Sequence, residues 1–340
     1  MAGEVRQPID IPSLERYIDQ NVPALKTPLD VKQFGFGQSN PTYQLTTADG
    51  KKFVLRKKPP RKAALEDSTQ ALCLCEDNDV IGTPFYIMSF LDGRHFTDPA
   101  MPGVSGEERK ALWKSAIQTL AKFHRVVPKS VGLEKFGKPS GFYDRQIATF
   151  TTISRAQAQV LDADSKEPVG ELPHFEDMVR FFSQKSSQPR DRGTLVHGDY
   201  KIDNLIFHHT EPRVIGILDW EMATVGHPLS DFCNVTSPYI LEGADSSTES
   251  FQAGRTPGLP SREECMRWYH EVSGYDPVGD IVWGDAFFAF RGSVIMQGIA
   301  ARFAARQASS ARASDYGSRA KPFALSAWHR VQQVQQKGKL

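Results

Sequence analysis

The sequence predicts an α+β chain in two lobes, a small antiparallel β-sheet over residues 1–92 and a larger helical lobe over residues 93–340. Three observations carry this. Before residue 92, short apolar runs alternate with polar residues and are separated by Gly- and Asp-containing turns, the pattern of hairpin strands. From about residue 106 the apolar period lengthens to that of a helix face. Between residues 194 and 219, three short apolar runs end on His, Asn or Asp, as buried strands do when their ends carry chemistry.

In order, residues 13–21 (SLERYIDQN) read as a helix with Ser13 as its N-cap and an acid downstream. Phe34 to Asn40 is a Gly-rich turn, Thr42–Thr46 and Lys52–Arg56 are strands joined by the turn Ala48-Asp49-Gly50, and residues 84–90 (PFYIMSF) are a third strand. Trp113, Ile117, Leu120 and His124 share one helix face. Residues 174–187 continue as helix. The runs 194–197, 205–207 and 214–219 are strands, and helices return near 261–273, 283–306 and 322–336. Glu242 to Pro260, rich in Gly, Ser and Pro, reads as a loop.

Composition narrows the function. The 340 residues hold 40% apolar and 24% charged residues with a net charge of +1, which fits a globular chain with a full core. The even charge balance argues against a nucleic-acid partner. No apolar stretch approaches the length of a membrane span, and the first residues lack the apolar region of a secretory signal. The expected location is therefore intracellular and cytoplasmic. The final Gly338-Lys339-Leu340 differs by one residue from the Ser-Lys-Leu peroxisomal address, which keeps the peroxisome open. Cys73, Cys75, Cys233 and Cys265 read as reduced structural thiols, since no second pair stands at zinc spacing. The oligomeric state is not legible.

The chemistry is concentrated in His197-Gly198-Asp199-Tyr200-Lys201-Ile202-Asp203-Asn204 and in Asp219, which ends the apolar run Val214–Leu218. Phosphoryl transfer needs a carboxylate for the acceptor's proton, hard oxygen ligands for Mg²⁺ and donors for the triphosphate. An H-x-D-x-x-x-x-N segment followed by a strand-terminal Asp supplies the first two, and outlines the protein-kinase signature. The H-G-D form followed by I-L-D-W-E resembles the aminoglycoside phosphotransferase, choline kinase and homoserine kinase group. It resembles in particular the kinase-like domain of acyl-CoA dehydrogenase family members 10 and 11. That likeness runs through Gly37–Asn40, Phe53–Pro59, Ile81–Met88, Asp144-Arg145-Gln146 and Gly226–Asp231. No acyl-CoA dehydrogenase domain accompanies them in these residues, so the chain is similar to the kinase unit alone.

The resemblance implies a protein kinase-like bilobal fold and an ATP- and Mg²⁺-dependent small-molecule kinase. It acts on a hydroxyl of a metabolite, with a hydroxyacyl compound or its CoA thioester as the suggested acceptor. Asp199 would be the catalytic base, with His197 holding its loop. Asn204 and Asp219 would bind Mg²⁺. Gln38, Ser39 and Asn40 would cover the phosphates. Arg56 stands where the family carries its phosphate-binding lysine and is favoured over Lys57, which points to the other strand face; a solvent-facing hairpin cation is the alternative reading of Arg56. Met88, Ser89 and Leu91 would face the adenine, and Lys201 is a candidate γ-phosphate contact. Glu221, Arg145, Arg291, Gln297 and Arg302 are candidate acceptor contacts. His124 reads as a core histidine, and His227 and Asp231 as braces.

One departure matters. Between Pro60 and Cys73 lie twelve residues, where kinases of this type place a helix and then a strand. At 1.5 Å per residue these would make about 18 Å of helix and leave nothing for the strand. The expectation is therefore a shortened sheet lobe that lacks a strand, with Arg56 without its acidic partner unless Glu66 or Asp67 serves. That motivates a second reading, a nucleotide-binding pseudokinase or interaction module.

Overall fold

The structure is a computed structural model that describes residues 2–34, 41–57, 71–241, 249–308 and 313–337. Gln38, Ser39 and Asn40, the segment 61–70 with Glu66 and Asp67, the first part of the 242–260 loop, and Gly338-Lys339-Leu340 lie outside the described residues. The chain forms two compact units, Met1–His95 with Leu205–Glu221, and Phe96–Asn204 with Met222–Leu340. The segment 205–221 thus clusters with the first unit, whereas the sequence division had placed it within 93–340.

The first unit is built on six antiparallel strands, β1 (Ala2–Gly3), β2 (Leu29–Phe34), β3 (Thr42–Thr47), β4 (Lys52–Lys57), β5 (Ala71–Cys75) and β6 (Phe85–Ser89), in the order β1-β2-β3-β4-β6-β5. Alternation explains β3: Tyr43, Leu45 and Thr47 are buried, and the residues between them are less so. The strand expected to be missing is present. β5 pairs along β6, Cys75 with Phe85 and Cys73 with Ile87. A strand needs few residues, about 3.3 Å each, so five suffice to cover that edge.

Helix α1 (Ile11–Asn21) begins two residues earlier than expected, and its N-cap is Asp10, which accepts from the Ser13 N–H at 2.9 Å. Ser13 therefore lies inside the helix. Leu14 and Ile18, one turn apart, are fully buried among Tyr43, Leu45, Leu55, Phe85 and Ile87. The short helix α2 (Asn78–Ile81) adds Val80 and Ile81 to this core. A second sheet, β10-β9-β7, joins β7 (Arg94–His95), β9 (Leu205–Phe207) and β10 (Val214–Ile217), so the returning segment is anchored by backbone pairing.

The second unit is helical: α3 (Gly106–His124), α4 (Phe142–Ala158), α5 (Phe175–Phe182), α6 (Leu229–Val235), α7 (Arg262–Ser273), α8 (Ile281–Ala304), α9 (Ala313–Ser318) and α10 (Ala320–Lys337). Helix α4 was not foreseen, and α5 stops at Phe182 rather than 187. Helix α7 starts on a capping box between Ser261 and Glu264. Helix α8 is apolar on most sides because it is the central element, packed with Tyr143, Met178, Phe182 and Ala324. Strands β8 (Thr194–Val196) and β11 (Thr224–Gly226) pair antiparallel within this unit, and the His197–Asn204 segment follows directly on β8. Among the described residues no helix is long and apolar enough to cross a membrane.

Truncating Leu14 to Ala should lower the stability of the first unit by about 2–5 kcal/mol, because the site cannot fully collapse around the lost atoms. Urea unfolding followed by a probe in that unit would measure it. A loss below about 1 kcal/mol would contradict the packing described.

Candidate active site

Strand β8 ends at Val196, and the chain then turns sharply through His197, Gly198 and Asp199. Gly198 has φ +85°, and a Cβ there would lie 2.6 Å from the Met222 carbonyl oxygen. Both the left-handed backbone and the close approach exclude a side chain, which accounts for Gly in the H-G-D segment. The turn is fastened from below by Asp231 of α6, which is fully buried. It accepts from the His197 N–H at 2.6 Å and the Gly198 N–H at 2.8 Å. Its Oδ2 also accepts from His124 Nε2 of α3 at 3.2 Å, and His124 Nδ1 shares a hydrogen with the Tyr269 hydroxyl of α7 at 2.5 Å. Burial alone would raise the Asp231 carboxyl. The hydrogen bond and charge of His124, with His197, outweigh it and hold the group below its ordinary value.

Asp199 is thereby presented at the surface, its side chain 38% exposed. Asn204, only 6% exposed, donates from Nδ2 to the Asp199 carbonyl at 2.8 Å and carboxylate at 3.1 Å. This fixes the amide's orientation, since the reverse would set oxygen against oxygen. Asn234 of α6 donates to the Tyr200 carbonyl at 3.1 Å and approaches Asp199 Oδ1 at 3.4 Å. Lys201 Nζ lies 3.6 Å from Asp199 and 3.2 Å from Asp203. Burial pulls its pKa down, but the two carboxylates more than offset this and raise it, so Lys201 stays cationic. His197 uses Nδ1 to accept from the Asp199 N–H at 3.2 Å, which makes it a loop holder, as its place in the motif suggested.

Of the expected acceptor contacts, Arg291 of α8 donates to the Gly198 carbonyl at 2.8 Å. Arg145 binds the carbonyls of Ser140 and Lys138, Arg302 is exposed near the end of α8, and Gln297 bonds Ser154 and the Gly170 carbonyl. The three arginines share no partner among the described residues. His227, expected as a brace, is buried and neutral, its pKa pushed down to about 4 by burial, and it caps the Arg190 carbonyl.

In the sheet unit, β4 sets Arg56 opposite Thr42 of β3 and Tyr86 of β6. Its guanidinium meets Asp219 at 2.5 Å and Glu221 at 3.7 Å. Among the described residues Arg56 thus has acidic partners, and they follow β10; Glu66 and Asp67 lie outside the described residues. Burial pulls the Arg56 pKa down, and the charges of Asp219 and Glu221 raise it overall. Asp219 itself has φ +62°, a left-handed conformation that Asp tolerates better than most residues and that marks functional positions. Met88 and Ser89 lie at the end of β6, paired with Val54 and Phe53, and Leu91 packs where a Cβ on Gly216 would lie 2.1 Å away. Among the described residues no three of His, Cys, Asp or Glu gather as a metal cluster.

The model of the phosphotransferase enzyme family matches residues 30–265. The chain belongs to that family. The chain is 33% identical over 348 residues to acyl-CoA dehydrogenase family member 10 of Mus musculus, covering 95% of the chain and 31% of that relative. It spans less than half the length of the curated relatives it matches. Its fold is similar to the crystal structure of a candidate aminoglycoside phosphotransferase from Ralstonia eutropha JMP134, with a TM-score of 0.79 and 32% identity, over 96% of this chain and 99% of that one. It also matches an aminoglycoside phosphotransferase in a ternary complex with streptomycin and ATP, with a TM-score of 0.53 and 15% identity, over 86% and 91% of the two chains. The kinase-like fold expected from the sequence is therefore the observed one.

Asn234 and Tyr269 were missed by sequence reasoning. A single Asn six residues after a Gly-His-Pro turn has no spacing signal, and Tyr269 is an apolar-face residue until its partner is known. Replacing Asp231 by Asn puts an amide N–H against backbone N–H groups and should cost about 3–5 kcal/mol. The wild-type contribution is present above the ordinary carboxylate range. It is lost as pH falls through the depressed value, because the unfolded state then binds more protons. Thermal melts against pH should show a lower Tm for Asp231→Asn at neutral pH and a shallower fall on the acid side. Parallel curves would rule out this role.

Proposed function

We propose that this family member is an ATP- and Mg²⁺-dependent kinase for a hydroxyl group of a small metabolite, with a hydroxyacyl compound or its CoA thioester as the acceptor. The observation that carries the reading is the held, half-exposed carboxylate of Asp199, oriented by Asn204 and Asn234 and beside the cationic Lys201. The related ATP complex supports the choice of nucleotide.

In this reading Asp199 accepts the acceptor's hydroxyl proton while that oxygen bonds to the γ-phosphorus. The bond from the γ-phosphorus to the bridging oxygen breaks, and ADP leaves with the electron pair. The transition state is loose, so position and charge do most of the work. Asn204, through its amide oxygen, and Asp219, through its carboxylate, offer the hard oxygen donors that suit Mg²⁺. When bound, Mg²⁺ supplies positive charge that offsets charge on the transferring group. Arg56, which pairs with Asp219, would hold phosphate oxygens with its planar fork. Lys201 would offset charge near Asp199. The binding-only alternative drew on the shortened 61–72 segment, of which 61–70 lie outside the described residues; the strand that follows it, β5, is in place.

Mg²⁺-dependent ADP release, measured over a panel of hydroxylated acceptors, should fall about 10²–10⁴-fold in Asp199→Ala. Equal release from wild type and variant on every acceptor would defeat the proposal. Arg56→Lys keeps the charge but loses the fork. It should raise the KM for ATP several-fold while leaving the KM for the acceptor within about twofold, which steady-state kinetics on both substrates would show.

A further inference from the structure

Strand β4 turns Arg56 toward the segment 205–221, and its side chain is only 18% exposed. Its fork is divided between two carboxylates. Nη1 meets Asp219 Oδ1 at 2.5 Å, and Nη2 lies 3.7 Å from Glu221 Oε2. The register sets Tyr86 of β6 opposite Arg56. Burial raises the Tyr86 phenol above its ordinary value, while the charge and hydrogen bond of Arg56 pull against that rise. Local backbone brings both acids to one guanidinium. Asp219 has φ +62°, Trp220–Met222 form a 3₁₀ turn, and the Trp220 indole donates to the Ile217 carbonyl at 2.9 Å. Glu221 is the last residue of the first unit, so it and Arg56 belong to one compact body.

The two contacts are not equivalent. In the proposed reaction Asp219 offers its carboxylate to Mg²⁺, and a carboxylate that serves a dication attracts a guanidinium less, because the dication repels it. Glu221 has no such duty in that reading. Kinases of this fold steady the cation of this strand with a glutamate from the helix that follows it. Here the described acids lie beyond β10. A guanidinium held at one end by Glu221 keeps the rest of its five donors for phosphate oxygens. We propose that Glu221 is the positioning residue for Arg56, the acid that directs its fork at the nucleotide phosphates while Asp219 serves the metal ion. This rests on the kinase reading. Glu221 is 48% exposed, so the pair adds little to stability, and its effect is on direction. Charge alone makes the opposite forecast: a carboxylate beside a triphosphate repels it, so its removal would tighten ATP. Positioning forecasts weaker binding.

Calorimetry on the full chain gives the Kd for ATP, once with Mg²⁺ and once with EDTA, and ADP release gives KM and kcat. Glu221→Gln should weaken ATP about tenfold in both conditions and raise the KM for ATP to match, with kcat within about twofold of wild type. Glu221→Asp should recover part of the loss. In an Arg56→Gln background, Glu221→Gln should have no further effect, the mark of a residue that acts through Arg56. Thermal melting of Glu221→Gln should stay near wild type; if it falls far, Glu221→Asp decides on the same readouts. Tighter ATP binding in the Gln variant leaves only charge repulsion and overturns the proposal. A loss confined to Mg²⁺ makes Glu221 a metal ligand, and a loss undiminished in the Arg56→Gln background makes it a direct contact; either overturns it. Glu66→Gln is the control. If that variant loses ATP affinity while Glu221→Gln binds like wild type, the anchor lies in the segment after β4 and the proposal is wrong. If wild type binds no ATP, the kinase reading falls and this inference with it. ATP binding and turnover that ignore Glu221 leave the kinase reading standing and remove this one.

Discussion

The turn through His197, Gly198 and Asp199 depends on one buried carboxylate. Asp231 accepts two consecutive backbone N–H groups, at His197 and Gly198, and its remaining capacity is met by His124. Consecutive amides can point at one acceptor only where the chain turns sharply, and Gly198 supplies that turn with φ +85°. The four elements involved, β8, α3, α6 and α7, are therefore tied through a single ion. Each alone has a larger apolar purpose, so the polar network specifies the arrangement while the apolar faces stabilise it. Hydrogen bonds to a charged group are worth more than neutral ones, and leaving any of these donors unmet would cost the desolvation of that group.

From that fixed turn the rest of the site follows by short range. Asp199 is the next residue, and Asn204 closes a single 3₁₀ turn back onto it, donating to both its carbonyl and its side chain. In the sheet unit the equivalent constraint is the register of β4 with β3 and β6, which decides that Arg56, and not Lys57, meets Asp219. Lys57 instead lies over the Tyr43 ring at 5.7 Å, on the other face. The period of two along a strand thus assigns one cation to the Asp219 carboxylate and its neighbour to packing.

Much of this was legible because it is local. Alternation marked β3, β4 and β6, the helical period marked α3, α7, α8 and α10, and the Asp199-to-Asn204 spacing marked the turn they share. What escaped was non-local or weakly patterned. Helix α4 contains Thr151, Thr152 and Phe150, residues of modest helix propensity, and is helical because Tyr143 and Ile147 pack against α8. The contact of Arg56 with Asp219 and Glu221 was not legible either, since a guanidinium responds to whichever carboxylate the fold brings near. The edge strand was misjudged because twelve residues were charged in full to a helix. In the described structure Ala71–Cys75 complete the sheet by pairing alone.

The functional residues also follow the path of the chain. It leaves the helical unit at Asn204 and returns to it at Met222, and the segment between is held in the other unit by β9 and β10. Asn204 is the last residue before the first crossing, and Asp219 stands two residues before the end of the segment. The motif spacing is thus the length of one hairpin plus its entry and exit. A hairpin of paired strands cannot gain or lose a residue without a bulge or a shift that turns side chains to the opposite face. The one irregularity present, between Val214 and Gly216, lies in the strand itself, before the exit to Asp219. Backbone pairing, which knows nothing of phosphate, therefore fixes the interval at which the chemistry recurs. This is why a motif of a few letters separated by fifteen residues could be read from the sequence at all.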